Sequence, residues 1–312
     1  MLHSSSSYHP ENPDRIRSTL PILKQMHENN MIRLKIPLAE EKEISNDKQS
    51  YNHIMQEALN VIKKVHAEDY IRQVKGSCEA GSKIISMDDA DTYINEYSFK
   101  QTVMAQASWL EVLKNVQKDN VMGFACVRPP GHHAIHSRSM GFCIFNFAVG
   151  TALYALESLG LNRVAILDFD VHYGNGVADL ISSNPNIRYT SLHEHPLFPF
   201  SGKTDVKGSH NNILNIVLES GTRNDVFEKK LISEAIPWLL EFQPDILIVC
   251  AGYDALASDE LSNLMLTPSA YGTIASHLKE SFGNKIVFGL EGGYNINDLP
   301  LAIKETILPF TS

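Results

Sequence analysis

Short apolar runs rich in Val, Ile and Leu alternate along this chain with longer stretches whose apolar positions recur every three to four residues. A short apolar run with polar flanks reads as a strand covered on both faces, and the longer period reads as an amphipathic helix. The runs are 121–127 (VMGFACV), 163–169 (RVAILDF), 187–192 (IRYTSL), 213–218 (ILNIVL), 245–251 (DILIVCA) and 285–290 (KIVFGL). Between them helices are expected over 98–117, 145–159, 224–241 and 269–281, with Asn224-Asp225 and Thr267-Pro268 as helix starts. Before residue 100 the pattern is helical only, over 14–28 and 51–74, followed by a polar connection over 76–91. Strands alternating with helices predict an α/β fold with a mainly parallel central sheet and helices on both faces. No repeat, Gly/Ser linker or long single-sign charge block breaks the pattern, so residues 1–312 are expected to form a single domain, with Ser4 to Ser7 as a frayed start.

Composition narrows the function. With 43% hydrophobic residues the chain can bury a large core, which excludes intrinsic disorder. A net charge of −9 and the lack of any Lys/Arg stripe argue against direct nucleic-acid binding. Every apolar run is far shorter than the roughly 20 residues of a membrane-spanning helix, and no apolar leader follows a basic start, so a cytoplasmic protein is expected. Cys78, Cys126, Cys143 and Cys250 have no CxxC spacing, and buried reduced thiols are the expectation.

In an open parallel sheet, ligands bind beyond the carboxyl ends of the strands, and the unusual residues of this chain lie there. Asp168-Phe169-Asp170-Val171-His172 follows one strand. If the chain stays extended, residues two apart share a side, so two carboxylates and an imidazole converge. Capping or salt bridging is the alternative to metal binding. Gly252-Tyr253-Asp254 follows a second strand, so Asp170, His172 and Asp254 form a candidate set of three zinc ligands, leaving positions for water and substrate. Arg128-Pro129-Pro130-Gly131-His132-His133 follows a third, where adjacent imidazoles beside a metal suit a general base and acid. Glu291-Gly292-Gly293-Tyr294 follows the last, presenting either a phenol donor for an oxyanion or a ring packed at an ordinary turn.

Taken together, RPPGHHA, GFCIFN, DFDVHYGNG, SLHEHPLFPFSG, AGYDA and LEGGY resemble the zinc-dependent histone deacetylase superfamily, which includes bacterial lysine deacetylases and acetylpolyamine amidohydrolases. The resemblance begins at His9-Pro10-Glu11-Asn12-Pro13-Asp14-Arg15, passes Val65-His66 and Asp91-Thr92-Tyr93, and ends at Tyr294. It implies an arginase/deacetylase-like fold and removal of acetyl groups from N-ε-acetyl-lysine of peptides or proteins by a metal-activated water. In that reading zinc sits at Asp170, His172 and Asp254, His133 is the base, His132 is the more basic partner of Asp168, and Asn175 is the partner of His133. An amide at 175, rather than a carboxylate, points to the class II side of the family. A structural potassium ion is implied at Asp168, Ser191 and the carbonyls of Asp170, His172 and Leu192. Gly141, Phe142 and Phe198 would wall the acyl-lysine tunnel.

Some positions depart from the family pattern. Tyr173 stands where many relatives have His, Phe147 where they have Asn, and Phe200 where Gly often follows the tunnel Phe-Pro. Leu261 occupies the position at which polyamine-selective relatives carry an acid, which favours acyl-lysine over acetylpolyamine. An acetylpolyamine or other small acetyl-amine deacetylase is the alternative enzyme. A binuclear ureohydrolase would need further aspartates where Ala255-Leu256-Ala257 stand, and a silent acyl-lysine binding module would lack a ligand, the base or Tyr294. The histidines at 3, 27, 53, 136, 193, 195, 210 and 277 are given no chemistry, although His193 and His195 are expected at the pocket mouth.

Overall fold

A computed structural model of the chain describes residues 2–5, 8–35 and 48–311. All six apolar runs form strands: β1 Gly123–Ala125, β2 Val164–Asp168, β3 Ile187–Glu194, β4 Ile213–Leu218, β5 Ile246–Ala251 and β6 Ile286–Leu290. They make one sheet, in the order β1-β6-β5-β2-β3-β4, in which every pair is parallel. The arrangement is the expected α/β fold, a parallel sheet with a helical layer on each face. Along β5, Ile246, Ile248 and Cys250 enter one core and Leu247, Val249 and Ala251 the other. This two-residue period, with a core on each side, is why the strand sequence is apolar throughout rather than alternating.

Helices cover both faces. On one side lie α2 (Lys48–Val65), α3 (Glu68–Glu79), α4 (Ser98–Asp119), α5 (Phe147–Glu157) and α6 (Asn175–Ile181), packing Ile62, Trp109, Leu110 and Ala152 against β2 and β5. On the other lie α1 (Asp14–Glu28), α7 (Asn224–Lys230), a π-helical turn Leu231–Ala235, α8 (Ile236–Glu241), α9 (Pro268–Phe282) and α10 (Leu299–Ile307). Burying one such Leu, Ile or Phe side chain contributes about 1.5–3 kcal/mol.

Three expectations change. The helix expected over 51–74 is two helices, broken at His66-Ala67, because the His66 ring turns inward: its Nδ1 donates to Ile135 O at 3.0 Å and its Nε2 accepts the Asn146 N–H at 2.9 Å. Helices α6 and α10 have no counterpart among the predicted elements, although Pro300 in the first turn of α10 is a legible start signal. The start of the chain is held rather than frayed at His3 and Ser4, since His3 is 2% exposed, its carbonyl accepts Arg128 Nη1 at 2.6 Å, and Asn95 Nδ2 donates to Ser4 O at 3.0 Å. Ser6 and Ser7 of that run lie outside the described residues. All four cysteines are free thiols, three of them buried and Cys126 partly so. Among the described residues no helix is long and apolar enough to cross a membrane.

Candidate active site

The carboxyl ends of β1, β2, β5 and β6 deliver the expected residues to one place. Strand β2 stops at Asp168, and the chain then bends through 170–172 instead of staying extended. The alternation argument is corrected accordingly. The Asp168 carboxylate points toward the histidine pair, and the cluster of donors is Asp170, His172 and Asp254, all buried and with one ligand atom each within 4.8 Å of the others. His172 Nδ1 lies 3.2 Å from Asp170 Oδ1 and 3.0 Å from Asp254 Oδ2. Backbone N–H groups fix the two carboxylates: Val171 donates to Asp254 Oδ1 at 3.0 Å and Gly292 to Asp170 Oδ2 at 2.7 Å.

Two buried carboxylates and one imidazole sharing this space are costly without a cation. Burial and then the charge of Asp170 push the Asp254 carboxyl up to about 7 against the pull of His172. The donor set, two oxygens and one nitrogen, suits a divalent ion such as zinc. A second grouping, His132, Cys143 and Glu291, lies beside it. It is the poorer cation site, because His132 Nδ1 is committed to Asp168 Oδ2 at 3.0 Å and burial drives the Cys143 thiol well above its ordinary value.

The loop after β1 carries the histidine pair. Glu291, at the end of the neighbouring β6, accepts the N–H groups of Gly131 and His132 on Oε2 at 2.6 and 3.1 Å, so the two strand ends are tied together. Burial alone depresses the His132 imidazole, but the charges of Asp170 and Asp168 outweigh it and leave it at about 10. Its Nδ1 donor is therefore an N–H, and Tyr189 OH supports the same Asp168 oxygen at 2.9 Å. His133 is set the other way. Burial, then repulsion by His132 and His172, hold it well below 6.5, and its Nδ1 bonds Asn175 Oδ1 at 2.8 Å. With Nδ1 protonated toward that amide oxygen, Nε2 keeps its lone pair.

Aromatic rings frame the approach. Phe198 meets His133 edge-on with ring centroids 5.1 Å apart, and Phe142 meets Tyr294 edge-on at 5.7 Å. Gly141, at φ +53°, must be glycine, since a Cβ there would lie 2.6 Å from His133 Cδ2 and 2.8 Å from Phe198 Cε1. Burial keeps the Tyr294 phenol well above its usual range even against the nearby Arg15 charge, so it is a hydrogen-bond donor at neutral pH. Leu261 is half-buried and Phe200 is 73% exposed. Ser191 pairs with Asp168 in the β2–β3 register. His193 is not at a mouth: it is fully buried between Ser191 Oγ (2.9 Å) and Gly202 O (2.9 Å), with its ring against Tyr173.

Several functional-looking groups had no legible signal of their own. Arg15 lies under the Tyr294 ring, 4.9 Å from its centroid, and donates to the carbonyls of Gly293 (2.7 Å) and Glu291. Glu11 pairs with Arg128 Nε at 2.6 Å and accepts Tyr93 OH at 3.1 Å. Asp259 accepts the Tyr294 N–H. Arg15 and Glu11 also face each other at i,i+4 spacing, 3.4 Å apart, but the other partners that bury each of these charges are distant in sequence.

A parallel α/β sheet with metal-donor, imidazole and phenol groups at its carboxyl edge is the architecture of a hydrolase site. Comparison with known proteins gives the family. The model of the histone deacetylase domain matches residues 9–308. An uncharacterized protein of Synechocystis is 35% identical over 309 residues, covering 99% of this chain and 96% of its own length. The zebrafish (Danio rerio) polyamine deacetylase HDAC10 is 32% identical over 255 residues, 78% of this chain, which spans only 38% of that longer protein. The solved HDA15 HD domain superposes with a TM-score of 0.85 at 28% identity, covering 99% of this chain and 85% of that one. The chain belongs to the histone deacetylase family.

Proposed function

We propose that the protein is a zinc-dependent amidohydrolase that removes acetyl groups from N-ε-acetyl-lysine of peptides or proteins and releases acetate. The observation that carries this reading is the convergence of the Asp170–His172–Asp254 donors with the His132–His133 pair, oriented by Asp168 and Asn175, and with Tyr294 at the same edge of the sheet. Zinc held by those three donors would supply Lewis-acid activation of water and of the acyl carbonyl. His133 Nε2 takes the water proton, with Asn175 fixing the tautomer. His132, held protonated by Asp168, stabilises the developing negative charge, and the proton that His133 took from water passes to the departing amine, which leaves both imidazoles as they began. Tyr294 donates to the oxyanion. Gly141, Phe142 and Phe198 accommodate the methylene stem of lysine.

Potassium is the proposed occupant at Asp168, Ser191 and the carbonyls of Asp170, His172 and Leu192. His193 Nε2 faces a carbonyl and so carries its proton; its bare Nδ1 accepts the Ser191 hydroxyl proton, which leaves the Ser191 oxygen lone pairs for a cation. Leu261 offers no carboxylate to a polyamine ammonium, which favours acyl-lysine; an acetylpolyamine is the second reading, supported by the zebrafish relative. The test is acetate release from a fluorogenic acetyl-lysine peptide by metal-stripped protein, by protein given back Zn²⁺, and by the Tyr294→Phe and His133→Ala variants. Zinc-restored turnover lost in both variants is expected. Turnover that survives both changes rejects these roles, and a zinc-loaded parent that is faster on acetylspermidine than on the peptide moves the assignment to polyamines.

A further inference from the structure

We propose that the buried carboxylate of Asp259 is a positioning residue that holds Tyr294 at the reacting carbonyl. The inference rests on the deacetylase role of Tyr294. Asp259 is 7% exposed and lies in the loop that follows the metal-donor Asp254. Its Oδ2 accepts the Tyr294 N–H at 2.6 Å, its Oδ1 accepts the Leu261 N–H at 3.0 Å, and the Asn295 N–H also faces it. A buried carboxylate is retained at such a place only when hydrogen-bonded, and here its partners are backbone amides of the two loops that bear the phenol and the tunnel position 261.

Tyr294 needs such a hold. It follows Gly293 at φ +112°, a conformation that favours glycine and gives the chain no local restraint, so the Gly293–Tyr294 peptide depends on its partners, Arg15 at the carbonyl and Asp259 at the N–H. Arg15 fixes the face of the ring. The main chain is held at the Gly293 carbonyl by Arg15 Nε at 2.7 Å and from Tyr294 onward by bonds to 258–259: Asp259 to the Tyr294 amide, Asn295 Nδ2 to Ser258 O at 2.9 Å, and Ser258 Oγ to Asp298 Oδ2 at 2.7 Å. Of these only Asp259 bonds a backbone atom of Tyr294 itself. An amide at 259 could keep its oxygen on the Tyr294 N–H, whereas Asp259→Ala removes both acceptors and so releases the Tyr294 amide and the Leu261 amide together.

The experiment compares full-length zinc-loaded Asp259→Ala with the parent, and repeats the substitution in Tyr294→Phe. On the acetyl-lysine peptide we expect kcat to fall by about tenfold or more with KM within about threefold, as misplacement of a catalytic group predicts. In the Tyr294→Phe background the same substitution should change the residual rate by less than about twofold, because the hydroxyl it positions is already gone. Amide hydrogen exchange over 292–298 should speed up while the remaining peptides and the zinc content match the parent. Equal losses in both backgrounds, or unchanged exchange at 292–298, overturn the proposal. A parent inactive on every acetyl-amine would overturn the deacetylase reading instead, and the exchange measurement would still decide whether Asp259 holds the Tyr294 main chain.

Discussion

Strand β5 has an aspartate at each end, and the protein treats the two in opposite ways. Asp245, just before the strand, is partly exposed; burial raises its carboxyl slightly, but the N–H groups of Arg163 and Asn162, at 3.0 and 2.7 Å from Oδ2, more than offset this and leave it below its ordinary value. Asp254, just after the strand, is fully buried, and burial together with Asp170 lifts it to about 7. One carboxylate is satisfied by the backbone beside it. The other sits buried in a group with Asp168, Asp170 and Glu291, beside the His132 and His172 imidazoles. The amino edge of the sheet uses acid to brace the chain; the carboxyl edge gathers it in a buried cluster with imidazoles.

The sharpest way to break the contrast is to neutralise the carboxyl-edge member. Asp254→Asn should lower turnover on acetyl-lysine peptide by on the order of 10³ or more, since Lewis-acid polarisation is worth several kcal/mol and each 1.4 kcal/mol is tenfold. Zinc content by mass spectrometry under native conditions should fall with it. A variant that binds no zinc yet keeps more than a tenth of the activity would show that the cluster is structural. Binding also links to stability: restoring Zn²⁺ to the stripped parent should raise its melting temperature, and should leave that of Asp254→Asn nearly unchanged.

A smaller effect is expected at position 261, where an apolar, half-buried Leu stands seven residues after the buried Asp254. Placing a carboxylate by Leu261→Glu should raise the kcat/KM ratio of acetylspermidine over acetyl-lysine peptide by about tenfold, the worth of one partly desolvated ion pair. Comparing the two substrates on parent and variant checks it. An unchanged ratio would remove position 261 from the specificity argument.

Acid stability sharpens the comparison away from the metal cluster. Burial depresses the His66 imidazole to about 4, against an ordinary 6.5, and its two backbone partners require the neutral ring. The unfolded chain therefore takes up a proton that the folded chain refuses. The contribution is complete above about pH 6.5 and is lost as pH falls toward 4, up to about 3 kcal/mol for this one group. The difference in unfolding free energy between parent and His66→Asn, measured by urea titration from pH 7.5 to 4.5, should shrink steadily as pH falls. A constant difference would mean that His66 is protonated in the fold.

The six strands and the main helices were legible because strand apolarity and helical period survive without knowledge of the partner. That Asp170, His172, Asp254, His132, His133 and Tyr294 meet in one place was legible because each follows a strand whose end the parallel sheet must bring to one edge. The bend after Asp168 was not, since the metal-cluster geometry depends on Val171 reaching Asp254 from another strand. The break at His66 was hidden because an inward-turned histidine and an exposed helical one look alike in sequence. Glu11, Arg15 and Glu291 stand in the segments that carry the resemblance, but what they hold was hidden, as was Asp259 altogether, because each charge is buried by a partner far along the chain.

The smallest effect concerns Asp245 itself. Asp245→Ala removes an acceptor from the N–H groups of Asn162 and Arg163, which enter β2 on the strand paired with β5. Because the site is partly exposed, water replaces much of the loss, and about 1 kcal/mol of stability is expected. The lowered carboxyl makes that contribution present at neutral pH and lost as pH falls through the carboxylate range. Turnover should be unaffected, because five fully buried apolar residues of β5, Ile246 to Cys250, stand between this end and the metal-donor end. Thermal melts and peptide kinetics on the same preparation decide it. A loss of activity beyond about threefold with little loss of stability would mean that strain at the amino edge travels along β5 to Asp254, and the two ends of the strand could no longer be treated as separate devices.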